Sequence, residues 1–260
     1  ESVMRFGVHG LVRERLQESE EQAAGNHVTV LQRFVETLRQ SPIAEVPELA
    51  NEQHYEVPAN FFGHVLGKHR KYSSCYYETP GDTLDQAEAT MLRLTCERAQ
   101  IEDGMRILEL GCGWGSLSLW MAEHYPNATI HSVSNSASQK AWIDGQAAER
   151  NLGNLQIQTC DMNDFEPEGE FDRVVSVEMF EHMKNWELLI SKLNGVMAEG
   201  AKLFLHVFSH RIHAYHFLKE NDDEWMAKHF FSGGMMPSHQ IFDCLQTPLS
   251  LESSWFVNGT

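Results

Sequence analysis

Hydrophobic positions in the first fifty residues recur at helical spacing. Val28, Leu31, Phe34, Val35 and Leu38 share one face, and Pro42 and Pro47 then break the pattern. Residues 1–70 read as an N-terminal helical extension, with a packing appendage and a pocket wall weighed equally. A helix is predicted over about 83–99. Thr83 and Gln86 are spaced as a capping box, and Leu84, Ala87, Met91 and Leu94 form the apolar stripe. From residue 104 the rhythm changes. Short apolar runs at Arg106–Leu110, Thr129–Val133, Leu155–Thr159, Arg173–Val177 and Lys202–Phe208 read as five strands. Between them lie helical stretches, one from about Ala137 to Arg150 and one carrying Trp186, Leu189, Ile190, Leu193 and Met197, with Gly200 marking its end. Alternating strand and helix with short connections predicts an α/β fold: a doubly wound, mostly parallel sheet covered on both faces, with ligands at the carboxyl ends of its strands.

Composition narrows the class. Of 260 residues 42% are apolar and 22% charged, which suits a soluble globular protein. No apolar run is long enough to span a bilayer, and no secretory signal opens the chain. With 20 basic and 37 acidic residues the formal charge is −17, a surface that repels phosphate backbones and makes nucleic acid a poor partner. Cys75, Cys96, Cys112, Cys160 and Cys244 are odd in number, widely spaced and free of C-x-x-C, so neither a disulfide framework nor a structural zinc site is expected. A reducing, cytoplasmic compartment follows.

The strongest chemical signal is Glu109-Leu-Gly111-Cys-Gly113-Trp-Gly115-Ser, between a predicted strand and a predicted helix. Glycines there let backbone approach a ligand without a Cβ in the way. A phosphate loop would require G-K-[ST], which is absent. A dinucleotide site would require an acid at the end of the second strand, where Ser132-Val-Ser134-Asn135-Ser136 stands instead. A nucleoside could still bond to Asn135 and Gln139. Asp161 and Met162 follow the third strand, where an acid can accept an adenine amine and a thioether can pack on the ring; Asp161 could equally be a turn residue. The fourth strand ends in Val177-Glu178-Met-Phe-Glu181-His182, two carboxylates and an imidazole within five residues. A substrate site is the first reading, ahead of a solvated helix start and then a metal site. Tyr72-Ser-Ser74-Cys75-Tyr76-Tyr77 places hydroxyls and a thiol before the core. His206, His210, His213 and His216 follow the fifth strand closely and are read as pocket lining ahead of metal. No metal is assigned.

Together these motifs, with Asn51-Glu-Gln-His54-Tyr-Glu-Val-Pro58, Cys96-Glu-Arg-Ala-Gln-Ile101, Ser134-Asn-Ser-Ala-Ser-Gln-Lys140, Asn221-Asp-Asp-Glu-Trp225 and Phe231-Ser-Gly-Gly234, resemble the S-adenosylmethionine (SAM) dependent methyltransferases that group with cyclopropane fatty acid synthases, and within them the coclaurine-type N-methyltransferases. The resemblance covers about residue 28 to the end. It implies SAM as cofactor, with Tyr72, Ser74, Glu109, Gly111, Gly113, Asn135, Gln139, Asp161, Met162 and Glu178 around it. It implies that Glu178, Glu181 and His182 bind and deprotonate an amine acceptor; in the lipid-modifying branch, Cys75, Glu181 and His206 match a bicarbonate site. The acceptor would be a small molecule, an amine or alternatively an unsaturated fatty-acyl chain, and a homodimer is left open. Such relatives continue beyond the equivalent of Trp255–Gly259, so the core, residues 71–260, is expected to lack the C-terminal part of the family fold.

Overall fold

The alternation predicted from residue 104 onward is what the chain builds. The computed structural model describes residues 2–45, 59–217, 227 and 231–257. Pro47 and the motifs at 51–58 and 221–225 lie outside the described residues.

Among the described residues, four helices precede the sheet: α1 (Ser2–Ala23), α2 (His27–Gln40), α3 (Ala59–Val65) and α4 (Leu84–Arg98). Ala24 and Gly25 take φ of 43° and 78°, a left-handed turn that separates α1 from α2, and the Asn26 side chain caps α2 by accepting from Thr29 N. The predicted face of α2 is buried at Leu31, Phe34, Val35 and Leu38, whereas Val28, in its first turn, is exposed. Helix α4 carries the predicted capping box, with Thr83 and Gln86 satisfying each other's backbone amides.

The core alternates β1 (Arg106–Leu110), α5 (Ser116–His124), β2 (Thr129–Ser134), α6 (Ala137–Glu149), β3 (Leu155–Thr159), β4 (Phe171–Val177), α7 (Trp186–Asn194) and β5 (Met197–His206). The strands lie in the order β3-β2-β1-β4-β5, and every pairing is parallel. The chain therefore winds one way from β1 to β3 and the other way from β4 to β5. The switch falls between β1 and β4, where open α/β sheets bind ligands at their carboxyl ends.

Side chains alternate across the sheet as the strand period demands. Leu108, Leu110, Val133 and Val174 join Leu31, Phe34 and Leu38 of α2 and Trp186, Leu189 and Leu193 of α7 in one core cluster. Ile107, Ile130 and Val175 face Leu92 and Cys96 of α4 and Leu117 and Met121 of α5 on the other side. Polar contacts tie α2 to α7: the Arg39 guanidinium forks onto Glu187 at 2.8 and 2.9 Å, and Asn185 Nδ2 donates to the carbonyls of Arg39 and Ser41 at 3.0 and 3.1 Å.

Two boundaries differ from the sequence reading. Helix α7 ends at Asn194, and Met197 begins β5 instead of extending the helix. Gly195 N donates back to the carbonyls of Ser191, Lys192 and Leu193, which closes the helix, and Phe171 N then takes the Val196 carbonyl at 2.8 Å. Gly200 lies inside β5 at φ 76°, not at a helix end. The register passes from Phe171–Met197 to Arg173–Lys202 across that stretch, an irregularity that a glycine in left-handed backbone allows. A short antiparallel pair, β6 (Tyr215–His216) with β7 (Met235–Met236), follows β5.

Candidate functional site at the carboxyl end of the sheet

The glycine turn between β1 and α5 is built for close approach. Gly111, Gly113 and Gly115 hold φ of 77°, 51° and 77°, conformations that L side chains rarely adopt. A Cβ on Gly111 would lie 2.6 Å from the Met179 side chain, and one on Gly115 would lie 2.6 Å from Ile143. A Cβ on Gly113 would meet nothing within 4 Å. Packing thus explains two of the glycines, and the third faces open space. The Gly111–Met179 contact also seats the turn directly against the segment that carries Glu178, Glu181 and His182.

Glu109 lies beneath the turn, fully buried. One oxygen of its carboxylate accepts from Ser118 Oγ of α5 at 2.5 Å and from Ser132 Oγ of β2 at 2.8 Å. Burial pushes the Glu109 carboxyl up, and the two hydroxyls oppose that shift only in part. This acid joins three elements under the turn.

One wall comes from the segment before α4. Glu88, buried on α4, accepts the backbone amides of Gly67, His69 and Lys71 at 2.9, 2.7 and 3.1 Å, and Asp85 accepts that of Lys68 at 2.7 Å. The chain fixed this way delivers Tyr72, Ser73, Ser74 and Cys75. Ser73 and Ser74 both donate their hydroxyls to the Glu178 carboxylate, one to each oxygen. Glu178 and Ser74 are themselves left-handed, at φ 52° and 57°. Glu178 N bonds the His206 carbonyl at 2.7 Å, locking the ends of β4 and β5 together. Lys71 is buried, with Nζ on the Ser73 carbonyl at 2.8 Å; burial lowers its ammonium, and the nearby charges of Glu178, Cys75 and Glu88 oppose that. Burial raises the Cys75 thiol and lowers the His206 imidazole, the latter against the pull of Glu178. The structure therefore gathers Ser74, Cys75, Glu178 and His206 around Lys71, a residue that the sequence reading missed.

The other wall is the short turn Phe180–His182. Glu181 is fully buried. Its Oε1 accepts Phe208 N at 2.7 Å, and its Oε2 has no hydrogen-bond partner among the described residues. Burial, reinforced by the charge of Glu178, pushes the Glu181 carboxyl up to about 8. The His182 ring stacks on Phe231, centroids 4.3 Å apart, and Phe208 and Phe217 meet the same phenyl ring edge-on at 5.3 and 5.2 Å. Phe231 lies so tightly over Gly234 that a Cβ there would fall 2.0 Å from the ring.

The remaining predicted residues line the ends of β2 and β3. Asn135 is exposed. Gln139 is buried, accepting from Ser134 Oγ at 2.6 Å, and its Nε2 has no partner among the described residues. Asp161 accepts Asn163 N at 2.7 Å and so forms a turn, and Met162 is buried in the core cluster with Val133. Tyr72 is half exposed, 5.9 Å from the Phe62 ring, which in turn lies 4.9 Å from Trp114.

Orphaned polar atoms mark the same edge. Among the described residues, five buried side-chain nitrogens or oxygens lack a partner, and four of them are Trp114 Nε1, Ser116 Oγ, Gln139 Nε2 and Glu181 Oε2. Buried polar groups are bonded as a rule, so a cluster of orphans calls for a polar ligand. A depression of about 390 Å³ at the opposite strand ends, lined by Asp103, Asp172 and Glu199, contains none of these groups.

The family model for mycolic acid cyclopropane synthetase matches residues 45–251. The (S)-coclaurine N-methyltransferase of Thalictrum flavum subsp. glaucum is 39% identical over 234 residues, covering 89% of this chain and 65% of that protein. The pavine N-methyltransferase of the same plant is 36% identical, covering 87% of this chain and 64% of that protein. The chain thus spans just under two thirds of the length of these two relatives. A crystal structure of coclaurine N-methyltransferase bound to N-methylheliamine and SAH superposes with a TM-score of 0.91 at 35% identity, over 97% of this chain and 73% of that one.

Proposed function

The chain belongs to the mycolic acid cyclopropane synthetase family, and on that footing we propose that it transfers the methyl group of SAM to the nitrogen of a small-molecule amine. The observation that carries this reading is the contact of Met179 with Gly111, which sets two carboxylates and an imidazole beside the glycine turn.

The turn fits the cofactor. Gly113 leaves room for backbone to approach it, and the unpartnered groups of Trp114, Ser116 and Gln139 supply hydrogen-bonding capacity. Tyr72, Ser74, Gly111, Asn135, Asp161 and Met162 complete the assigned surroundings, with Glu109 acting from below through Ser118 and Ser132. Bound SAM supplies a methyl group made electrophilic by its sulfonium. What the chain adds is orientation and proton handling. Holding two reactants in line can lower a barrier by roughly 7–11 kcal/mol. Glu178, fixed by two hydroxyls, attracts the acceptor's ammonium form, and buried Glu181 adds to that pull once its raised carboxyl ionises. His182 takes the amine proton, a step typically contributing about 10²–10⁴-fold. The aromatic rings of Phe208, Phe217 and Phe231 support the imidazole and exclude water.

The relatives with which it shares 39% and 36% identity carry N-methyltransferase names, which favours nitrogen over an acyl double bond as acceptor. The five free thiols suit a reducing, cytoplasmic setting, and no described helix is long and apolar enough to cross a membrane. Incubation with methyl-labelled SAM and separate pools of secondary or tertiary amines and of unsaturated phospholipids tests the proposal. Label is expected in the amine pool. Label confined to lipid, or none in either pool, overturns it.

A further inference from the structure

The fifth orphaned atom, His27 Nδ1, lies away from the glycine turn, where α1 and α2 meet the segment after β5. Three groups converge beside it, through the other ring nitrogen of His27. His213 Nε2 is 3.1 Å from Glu20 Oε1, and His27 Nε2 is 3.7 Å from the other oxygen of the same carboxylate. The two imidazole rings stand edge to face, centroids 5.3 Å apart. One ligand atom from each residue lies within 4.8 Å of the others.

We propose that Glu20, His27 and His213 bind a divalent zinc ion. Ligand atoms at roughly 2.0–2.1 Å around a tetrahedral zinc sit about 3.3 Å from one another. The two nitrogen–oxygen separations, 3.1 and 3.7 Å, one to each oxygen of the Glu20 carboxylate, lie on either side of that spacing. A small, partly open pocket of about 10 Å³ lies beside the two imidazoles, lined by His27, His213, Ser19, Ala23 and Leu31 and not by Glu20. Two imidazoles and a carboxylate form a donor set that suits zinc better than magnesium or calcium. Glu20 is exposed and His27 partly so, which leaves the fourth position open to water.

The support is also in place. His210 Nδ1 accepts the backbone amides of Ile212 and His213 at 3.2 and 2.9 Å, fixing the loop that presents His213. The His210 ring lies 4.9 Å from that of His213. Each ligand comes from a different segment: the end of α1, the first turn of α2 and the connection after β5. An ion held among them fastens the N-terminal helices to the core.

The alternative is an ordinary ion pair between Glu20 and protonated histidines, with no metal. The test is calorimetric titration of the chelator-treated full chain with zinc chloride, alongside thermal melting. The chain holds 14 histidines, so stoichiometry and substitution decide rather than binding alone. One equivalent of zinc is expected to bind and raise the melting temperature. His213→Ala and the partly exposed His27→Gln should each weaken binding by about tenfold or more. His27→Gln, whose metal-free fold is checked by circular dichroism, keeps the test valid if the buried His213→Ala fails to fold. Absence of stoichiometric binding, or binding that persists unchanged in His27→Gln, overturns the proposal.

Discussion

The Ser74 hydroxyl donates to the Glu178 carboxylate while both residues hold left-handed backbone, at φ 57° and 52°. Neither is a glycine, and each such conformation costs on the order of 1–3 kcal/mol. Strain on both sides of one hydrogen bond fixes a carboxylate whose direction matters. Ser74→Ala removes a bond to a charged group worth about 1.5–3 kcal/mol. If Glu178 anchors the acceptor's ammonium, kcat/KM for methyl transfer should fall ~10- to 100-fold, by the same conversion of free energy to rate. Steady-state kinetics with a responsive amine checks this, and a variant as active as the parent would detach Ser74 from the reaction.

His182 is assigned the amine proton. His182→Ala should reduce kcat by about 10²–10⁴-fold, the usual contribution of a positioned general base. Its stacking partner Phe231 remains, so SAH binding measured by calorimetry should be unchanged. Unaltered turnover together with intact SAH binding would shift the proton to another group.

Glu181 should impose two opposite pH trends. Its folded value of about 8 lies above the ordinary 4.5, so the folded chain retains a proton that the unfolded chain releases. Stability from this group therefore falls as pH rises from about 4.5 to 8, while affinity for an ammonium acceptor rises as the carboxyl ionises through 8. Glu181→Gln should flatten both trends, and its stability advantage over the parent should grow from pH 6 to about 8, by about 1 kcal/mol or more, and level off above that. Melting curves and acceptor KM measured from pH 6 to 9 test the pair. A parent profile with no inflection would contradict the buried carboxyl.

Gly111→Ala and Gly113→Ala should fail differently. Both incur roughly 1–2 kcal/mol for left-handed backbone. At Gly111 the methyl group also strikes Met179, so the melting temperature should drop well below that of Gly113→Ala. At Gly113 the methyl group enters open space, and the loss should appear mainly as weaker SAH binding. Calorimetry and melting of both variants separate packing from cofactor approach; equal affinities for SAH would show that Gly113 does not face the cofactor.

The parts of this architecture that were legible in sequence are those written in local periodicity. Five strands, the capping box at Thr83 and the glycine turn follow from spacing alone, because each depends on residues within one or two turns of chain. The misread stretch at 194–202 shows the limit. Met197 stands four residues beyond Leu193, the spacing of a helix, and Gly200 resembles a helix stop. Only pairing with Phe171, more than twenty residues earlier, makes the segment a strand.

The site divides the same way. Glu178, Glu181 and His182 stand together in sequence and could be read as a unit. Lys71 and Glu88 could not, because their roles depend on backbone groups brought in by folding. One local hint existed: Glu88 interrupts the apolar stripe between Leu84 and Met91, and a charge on a core-facing helix position signals a buried partner.

That buried carboxylate has a consequence for how damage is transmitted. Three amides of residues 67–71 hang from one side chain of α4, and the next residues along the chain reach Glu178. The helix thereby serves as a handle on the proposed reaction centre. Core substitutions along α4, at Met91 or Leu92, should therefore show first as slower catalysis, at temperatures where the sheet is still intact.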